Sequence, residues 1–280
     1  MTHVAIDGDI ICYSVGFASE KKSYLVQGVS FEYKKDATAW CVEHDIDPSE
    51  ITAVLDPEPV EYALSSVKRM INHIVAGAKA DDYTVYLTGD GNFREKIATI
   101  RPYKGSRKSA KPVHYADIKA YLITQHDAVI VEGEEADDAM SRDGMNGSVI
   151  ATIDKDLNGT PGWHYNWNTK ELYEVDEYQA NQFFYTQMLT GDPTDDIPGL
   201  YQMVGVRATQ KVKDPLLEMH DPAEMFAYVR DVYRDGYDKV GMCLDEKDEV
   251  VDRWLLEIGR LLYMRRKENE MWEFPQGAVA

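Results

Sequence analysis

The most constraining feature of this chain is how its short apolar runs end. Residues 4–6, 84–87, 128–131 and 149–153 are strand-length and rich in Val, Ile, Leu and Tyr. Each is followed at once by a turn: Asp7-Gly8, Gly89-Asp90-Gly91, Glu132-Gly133 and Asp154-Lys155. Helix-length stretches separate them. The clearest, residues 61–76, sets Val67, Met70, Ile71 and Ile74 at i, i+3, i+4 and i+7, a stripe suited to lying on a sheet. Short buried strands alternating with amphipathic helices predict an α/β fold, a mostly parallel sheet flanked by helices. In open sheets of that kind ligands bind beyond the carboxyl ends of the strands, where these acidic turns fall.

The rest of the chain divides around that pattern. Residues 23–33 alternate enough for a small hairpin and residues 36–43 for a short helix, together an insertion after the first strand. Residues 163–167 and 171–175, joined by Asn168-Thr169-Lys170, predict a two-stranded appendage. Beyond Glu177 the pattern turns helical, with Val251, Trp254, Leu255, Ile258 and Leu262 forming one stripe and Asp214-Pro215 and Asp221-Pro222 marking breaks. The expectation is an α/β domain over 1–176 and a helical domain over 177–280. An apolar fraction of 44% suffices for real cores. Cys12, Cys41 and Cys243 contain no CxxC pair and cannot build a disulfide framework, and no apolar run reaches the ~18 residues of a membrane span. The first residues lack a basic segment followed by an apolar one, so they read as a buried strand in a cytoplasmic protein and not as an export signal.

With 30 basic against 49 acidic side chains the net charge is −19, which argues against indiscriminate nucleic-acid binding. Taken singly, the acidic clusters have ordinary roles. Asp7-Gly8 and Asp90-Gly91 are turn dipeptides; Glu134, Glu135, Asp137 and Asp138 complement the positive end of a helix; Asp192-Pro193-Thr194-Asp195 reads as a helix cap. Asp154-Lys155-Asp156-Leu157-Asn158-Gly159 imitates a calcium loop but has Tyr165 where the bidentate Glu belongs. Those roles leave the shared location unexplained. Strands brought side by side converge these carboxylates at one edge, where two like charges ~4 Å apart repel by roughly 4 kcal/mol at an effective dielectric of about 20. A counter-cation resolves the repulsion. Seven histidines without HExxH and cysteines without metal spacing leave oxygen ligands, which select Mg²⁺ or Mn²⁺.

From Arg94 to Lys111 the balance inverts: Arg94, Lys96, Arg101, Lys104, Arg107, Lys108 and Lys111 face Glu95 alone. Alone, such a run is usually a solvated loop; so close after Asp90 it suits a phosphate, with Lys108 and Lys111 as contacts and Tyr103 as a ring on which a terminal base can stack. Carboxylates that hold metal beside cations that hold phosphate are what phosphodiester hydrolysis requires.

Asp7-Gly8-Asp9; Thr88-Gly89-Asp90 with Phe93-Arg94; Arg101-Pro102-Tyr103-Lys104-Gly105-Ser106-Arg107; Glu135-Ala136-Asp137-Asp138; Asp154-Lys155-Asp156; and Gly191-Asp192-Pro193-Thr194-Asp195-Asp196-Ile197-Pro198-Gly199 occur in this order. In that order the chain resembles the flap endonuclease/5′-3′ exonuclease family, a PIN-like superfamily, and most closely its compact bacteriophage T7-type members. The likeness runs over about residues 3–212. It implies two Mg²⁺ or Mn²⁺ ions held, directly or through water, by Asp7, Asp90, Glu135, Asp137, Asp138, Asp154, Asp156, Asp192 and Asp195. It implies Lys104 as electrostatic catalyst with support from Arg94 and Arg107, and a basic arch over about 94–125. A helix-hairpin-helix over about 192–212 would set Gly205, Arg207 and Lys211 near the duplex. The implied reaction is hydrolysis from 5′ ends or at flaps, leaving a 5′-phosphate and a 3′-hydroxyl. The implied partners are duplex or branched DNA with a 5′ end, RNA–DNA hybrids and replication proteins, in a phage-infected host cytoplasm and away from membranes.

Two departures stand out. Met203 occupies a position where the family's hairpin has glycine, with one residue extra, and the arch is short. Two other readings compete: a PIN-like ribonuclease, against which residues 94–111 and 192–211 speak, and a non-catalytic acidic DNA mimic, which has no reason to place carboxylates after strands.

Overall fold

In the computed structural model, which describes residues 1–106, 110–239 and 247–277, the chain starts on the central strand of its main sheet. β1 (His3–Asp7) carries Val4, Ala5 and Ile6 fully buried on both faces, as a strand between two layers requires. It pairs in parallel with β5 (Asp82–Thr88) on one side and β7 (Val149–Ala151) on the other. β6 (Val129–Val131) extends the sheet beyond β5. β8 (Gly162–Asn166) pairs in parallel with β7, and β9 (Glu171–Val175) returns antiparallel to β8, giving the order β6-β5-β1-β7-β8-β9. The hairpin expected as an appendage is therefore the sheet's far edge.

That order fixes where a ligand can sit. The chain leaves β1 through α1 (Gly8–Ala18) toward β5 and β6, then crosses back through α6 (Ala136–Met145) to β7. β1 and β7 are thus neighbours whose connections depart in opposite directions, the topological switch that opens a crevice at the strands' carboxyl ends. α3 (Val60–Gly77) and α5 (Tyr115–Gln125) join α1 on one face, with Val67, Ile71, Ile74, Ile118 and Leu122 fully buried against the sheet. The stripe expected over 61–76 is this α3 surface.

Between β1 and α3 lies a second, three-stranded antiparallel sheet of β2 (Glu20–Val26), β3 (Val29–Phe31) and β4 (Thr52–Pro57), covered on one face by α2 (Lys34–Glu43). Gln27 and Gly28 both take positive φ, 46° and 86°, which is how a two-residue turn matches the twist of its strands. β4 was not foreseen, because so short an apolar run carries no periodicity that separates strand from helix. α7 (Glu177–Thr190), α8 (Leu200–Val204), α9 (Gln210–Lys213), α10 (Pro222–Lys239) and α11 (Lys247–Leu262) build a separate core around Tyr185, Met188, Phe226, Tyr233 and Leu255. Cys12 and Cys41 are buried free thiols, and Cys243 lies outside the described residues. Among the described residues no helix is long and apolar enough to cross a membrane.

α1 starts hard against β5. A Cβ on Gly8 would stand 2.6 Å from the Tyr86 carbonyl oxygen and 2.8 Å from a Val85 methyl carbon. Gly8→Ala should therefore cost about 1–3 kcal/mol of overpacking, read as a lowered denaturation midpoint at unchanged slope. A midpoint equal to the native one would show that α1 can slide away without penalty.

Candidate active site

Asp7 ends β1 and caps α1. Its Oδ1 accepts the Ile10 N–H at 2.9 Å and its Oδ2 accepts the Thr152 hydroxyl at 2.8 Å. Thr152, just past β7, also accepts the Asp154 N–H at 3.0 Å, and Asp154 in turn accepts the Asp156 N–H at 3.0 Å. One hydroxyl thereby ties the exits of the two switch-point strands together. α6 brings Glu135 and Asp137 to the same place, because Ala136 N–H is anchored by the Thr88 hydroxyl at the end of β5, 3.0 Å away.

The electrostatics record the crowding. Burial pushes the Asp7 carboxyl up to about 7, with Asp9 and Asp154 adding to it. Burial, then Asp7, Glu135 and Asp154, hold Asp137 well above the usual carboxylate range. Burial, Asp154 and Asp192 push Asp156 up to about 6. Asp156 accepts the Gln187 amide at 2.7 Å, and Asp192 is buried in a tight turn whose backbone bonds to Ile197 run both ways at 2.9 Å. Gly191 makes that turn possible: its φ is 68°, and a Cβ there would lie 2.4 Å from the Gly199 nitrogen.

Lys104 enters from the loop after α4 (Phe93–Ile97). It has a left-handed backbone, φ 54°, and its N–H is held by the Asp195 carbonyl at 2.9 Å. Its ammonium pairs with Glu135 and lies 3.5 Å from an Asp195 oxygen. The Tyr103 hydroxyl donates between the same two carboxylates, at 2.9 Å to Glu135 and 2.8 Å to Asp195.

Several expected roles change here. Arg94 does not face a substrate: it is fully buried, and its guanidinium forks onto Asp138 at 2.6 and 3.0 Å. Asp138 is not available to a metal, because its two oxygens already accept Arg94 twice and the N–H groups of Glu135 and Arg265 at 3.2 and 3.0 Å; the charges on it lower its pKa although burial opposes them. Tyr103 is not an open stacking platform, since its ring packs on the helical core and its hydroxyl is pinned. Asp90 is exposed, its backbone N–H bound by Glu132 at 2.8 Å, while the charges acting on Asp7 and Asp137 come from Asp9, Glu135, Asp154 and each other. The arch expected over 94–125 contracts, because α5 is a core helix and Arg94 is interior. Arg107 and Lys108 lie outside the described residues. Lys111 is exposed, its ammonium 4.4 Å from the centre of the Tyr115 ring. Gly205, with φ 70°, ends α8; Arg207 is exposed between α8 and α9, and Lys211 is exposed within α9.

Thr152, Asp9 and Gln187 were not singled out as site residues. A hydroxyl ending a buried strand, and an amide inside an apolar helix face, are the signals that mark Thr152 and Gln187. Among the described residues no three His, Cys, Asp or Glu side chains are gathered at metal-holding distances. In kind the donors fit a hard divalent ion: Asp7, Glu135, Asp137 and Asp154 offer only oxygens, and Lys104 is a cation paired with one of them, Glu135.

No protein-family model and no curated protein matches the chain. Among solved structures it is similar to a bacteriophage T5 protein co-crystallised with metal ions, at 15% identity over 93% of this chain and 99% of that one, TM-score 0.44. It is also similar to a bacteriophage T5 flap endonuclease variant in a pseudo-enzyme–product complex with DNA and metal ions, at 15% identity over 94% and 99%, TM-score 0.42. A third similar structure is a substituted T5 5′-exonuclease, at 15% identity over 94% and 99%, TM-score 0.39.

The raised carboxyls set a pH dependence. Asp7 and Asp156 hold protons in the folded metal-free protein up to about 7 and about 6, whereas the unfolded chain releases them near the ordinary value of 3.8. Their ionisation therefore costs the fold nothing below about pH 4 and progressively more up to about pH 7. Metal-free Asp137→Asn should melt higher than native protein at pH 8 and nearly level with it at pH 4.5. A variant that melts lower at pH 8 would mean that these carboxylates do not repel.

Proposed function

We propose that this chain is a divalent-metal-dependent nuclease that hydrolyses DNA phosphodiesters at or near a 5′ end. The observation that carries the reading is that three separate connections start with Asp7, Glu135 and Asp137, and Asp154 around the β1/β7 switch point, with Asp7, Glu135 and Asp154 all acting electrostatically on Asp137 and Lys104 paired to Glu135. Carboxylates alone would suit a buried cation of any use. Carboxylates beside a lysine on a strained backbone suit a cation that acts on an anionic group.

The geometry and the motif order together support these roles. Asp7, Glu135, Asp137 and Asp154 would hold one Mg²⁺ or Mn²⁺, and Asp156, Asp192 and Asp195 are donors for a second. Such ions supply the Lewis acidity that activates a water nucleophile and neutralises the leaving oxygen. Thr152 locks the relative position of Asp7 and Asp154, and Tyr103 does the same for Glu135 and Asp195. Lys104 presents positive charge to the non-bridging oxygens of the scissile phosphate, where charge grows in the transition state. Arg207 and Lys211, exposed between α8 and α9 and within α9 respectively, suit contact with duplex phosphates away from the reacting bond. The 5′-end polarity, the 5′-phosphate and 3′-hydroxyl products and a setting in phage DNA replication or recombination rest on the motif order in the sequence.

A 5′-labelled duplex bearing a 5′ overhang, incubated with and without Mg²⁺, tests this. Native protein should cut only with metal, and Asp154→Asn should abolish cutting. Lys104→Ala should lower the single-turnover rate by roughly 10²–10³-fold with little change in DNA affinity. Metal-independent DNA binding without any cleavage would overturn the nuclease reading.

A further inference from the structure

The first turn of α6 carries Glu135 and Asp137, and it is gripped from behind by distant parts of the chain. Arg94 is fully buried, yet it does not point at solvent or substrate. Its Nε donates to the Leu261 carbonyl at 2.9 Å, its Nη2 to the Tyr263 carbonyl at 2.9 Å, and its fork closes on Asp138. The same Nη1 stands 3.8 Å from a Glu135 carboxylate oxygen. Asp138 reaches back to the Glu135 N–H and also takes the Arg265 N–H. Arg265 lays its guanidinium 3.5 Å from the centre of the Phe93 ring and donates to Glu134 at 3.0 Å, while Arg142 pairs with the other Glu134 oxygen.

Residues 134, 135 and 138 are thus bound by α4 and by the end of α11 with the segment that follows it. Glu257 on α11 meanwhile accepts the N–H groups of Thr99 and Ile100, at 2.7 and 2.8 Å, where the loop toward Lys104 begins. α11 therefore holds the lysine's loop directly, and holds the carboxylates' helix through Arg94 and the segment that follows α11. Stability alone would not call for this wiring, since a buried ion pair is commonly replaced by packed apolar side chains at no loss.

We propose that Arg94, Asp138 and the chain from Leu261 to Arg265 are positioning residues that aim Glu135 and Asp137 into the metal site. The proposal rests on the nuclease reading and adds that the C-terminal helical core sets the geometry of the centre, with Arg94 as the joint. None of these residues touches substrate.

The test separates aim from fold. In Arg94→Met/Asp138→Leu the polar clamp is exchanged for an apolar pair of similar bulk; Arg94→Lys keeps the charge but not the fork. Each protein is titrated with Mn²⁺, free Mn²⁺ being read by electron paramagnetic resonance, and its melting temperature and single-turnover cleavage are measured. The double variant should melt near the native temperature, bind Mn²⁺ about 10–100-fold more weakly, and lose turnover while keeping its DNA affinity. Arg94→Lys should shift Mn²⁺ affinity in the same direction. Native Mn²⁺ affinity and turnover in the double variant would overturn the proposal and leave the nuclease reading standing. If the double variant does not fold, unchanged Mn²⁺ affinity in Arg94→Lys overturns it equally. Absence of Mn²⁺ binding by native protein would overturn the metal-site reading and this proposal with it.

Discussion

Like-charge repulsion at the carboxyl ends of β1 and β7 is the constraint on which the rest of the structure depends. Asp7 is only 2% exposed and lies near Asp154 and Asp137, so its carboxylate cannot be hydrated as a surface one is. A chain that relaxed freely would swing these groups apart. It cannot, because each is fixed by backbone: Asp7 caps α1, Asp154 caps the turn after β7, and Glu135 and Asp137 begin α6. Two of these turns also give an N–H to the cluster, Ile10 to Asp7 and Asp156 to Asp154.

Neutral and positive groups then divide the remaining work. Thr152 sets distance without adding charge, by donating to Asp7 and accepting from Asp154. Lys104 and Tyr103 come from a single loop and span Glu135 and Asp195, which joins the sheet side of the crevice to the turn between α7 and α8. Behind them the Arg94–Asp138 pair is fully buried and fully hydrogen-bonded, the condition under which such a pair is tolerable at all. The site is thus layered: carboxylates in front, a lysine paired to one of them, a salt-bridged spine behind.

How much of this was legible beforehand varied with range. α3 was readable because its stripe runs over two turns at helical spacing, and β1, β5, β6 and β7 because apolar runs ended in turn residues. β4 and the placement of β8 and β9 were not, since pairing partners lie far away in sequence and strand length carries no register. The family resemblance implies an arch that takes in α5, whereas Ile118 and Leu122 drive this helix into the core. Burial decides between the two, and motif order is blind to it. Matching motifs gave Arg94 and Asp138 a phosphate and a metal role, whereas the partners of these two ionised side chains are each other.

By itself the sequence determined which side chains carry charge, where strands stop and which helix starts are acidic, because those follow from local polarity and turn chemistry. That was enough for an α/β sheet with carboxylates at one edge. Only the tertiary structure decided which of those carboxylates face one another and which face an arginine. A carboxylate's partner is set by contacts across 44 to 145 residues of chain, as between Arg94 and Asp138 or Asp7 and Thr152, and no local pattern encodes them.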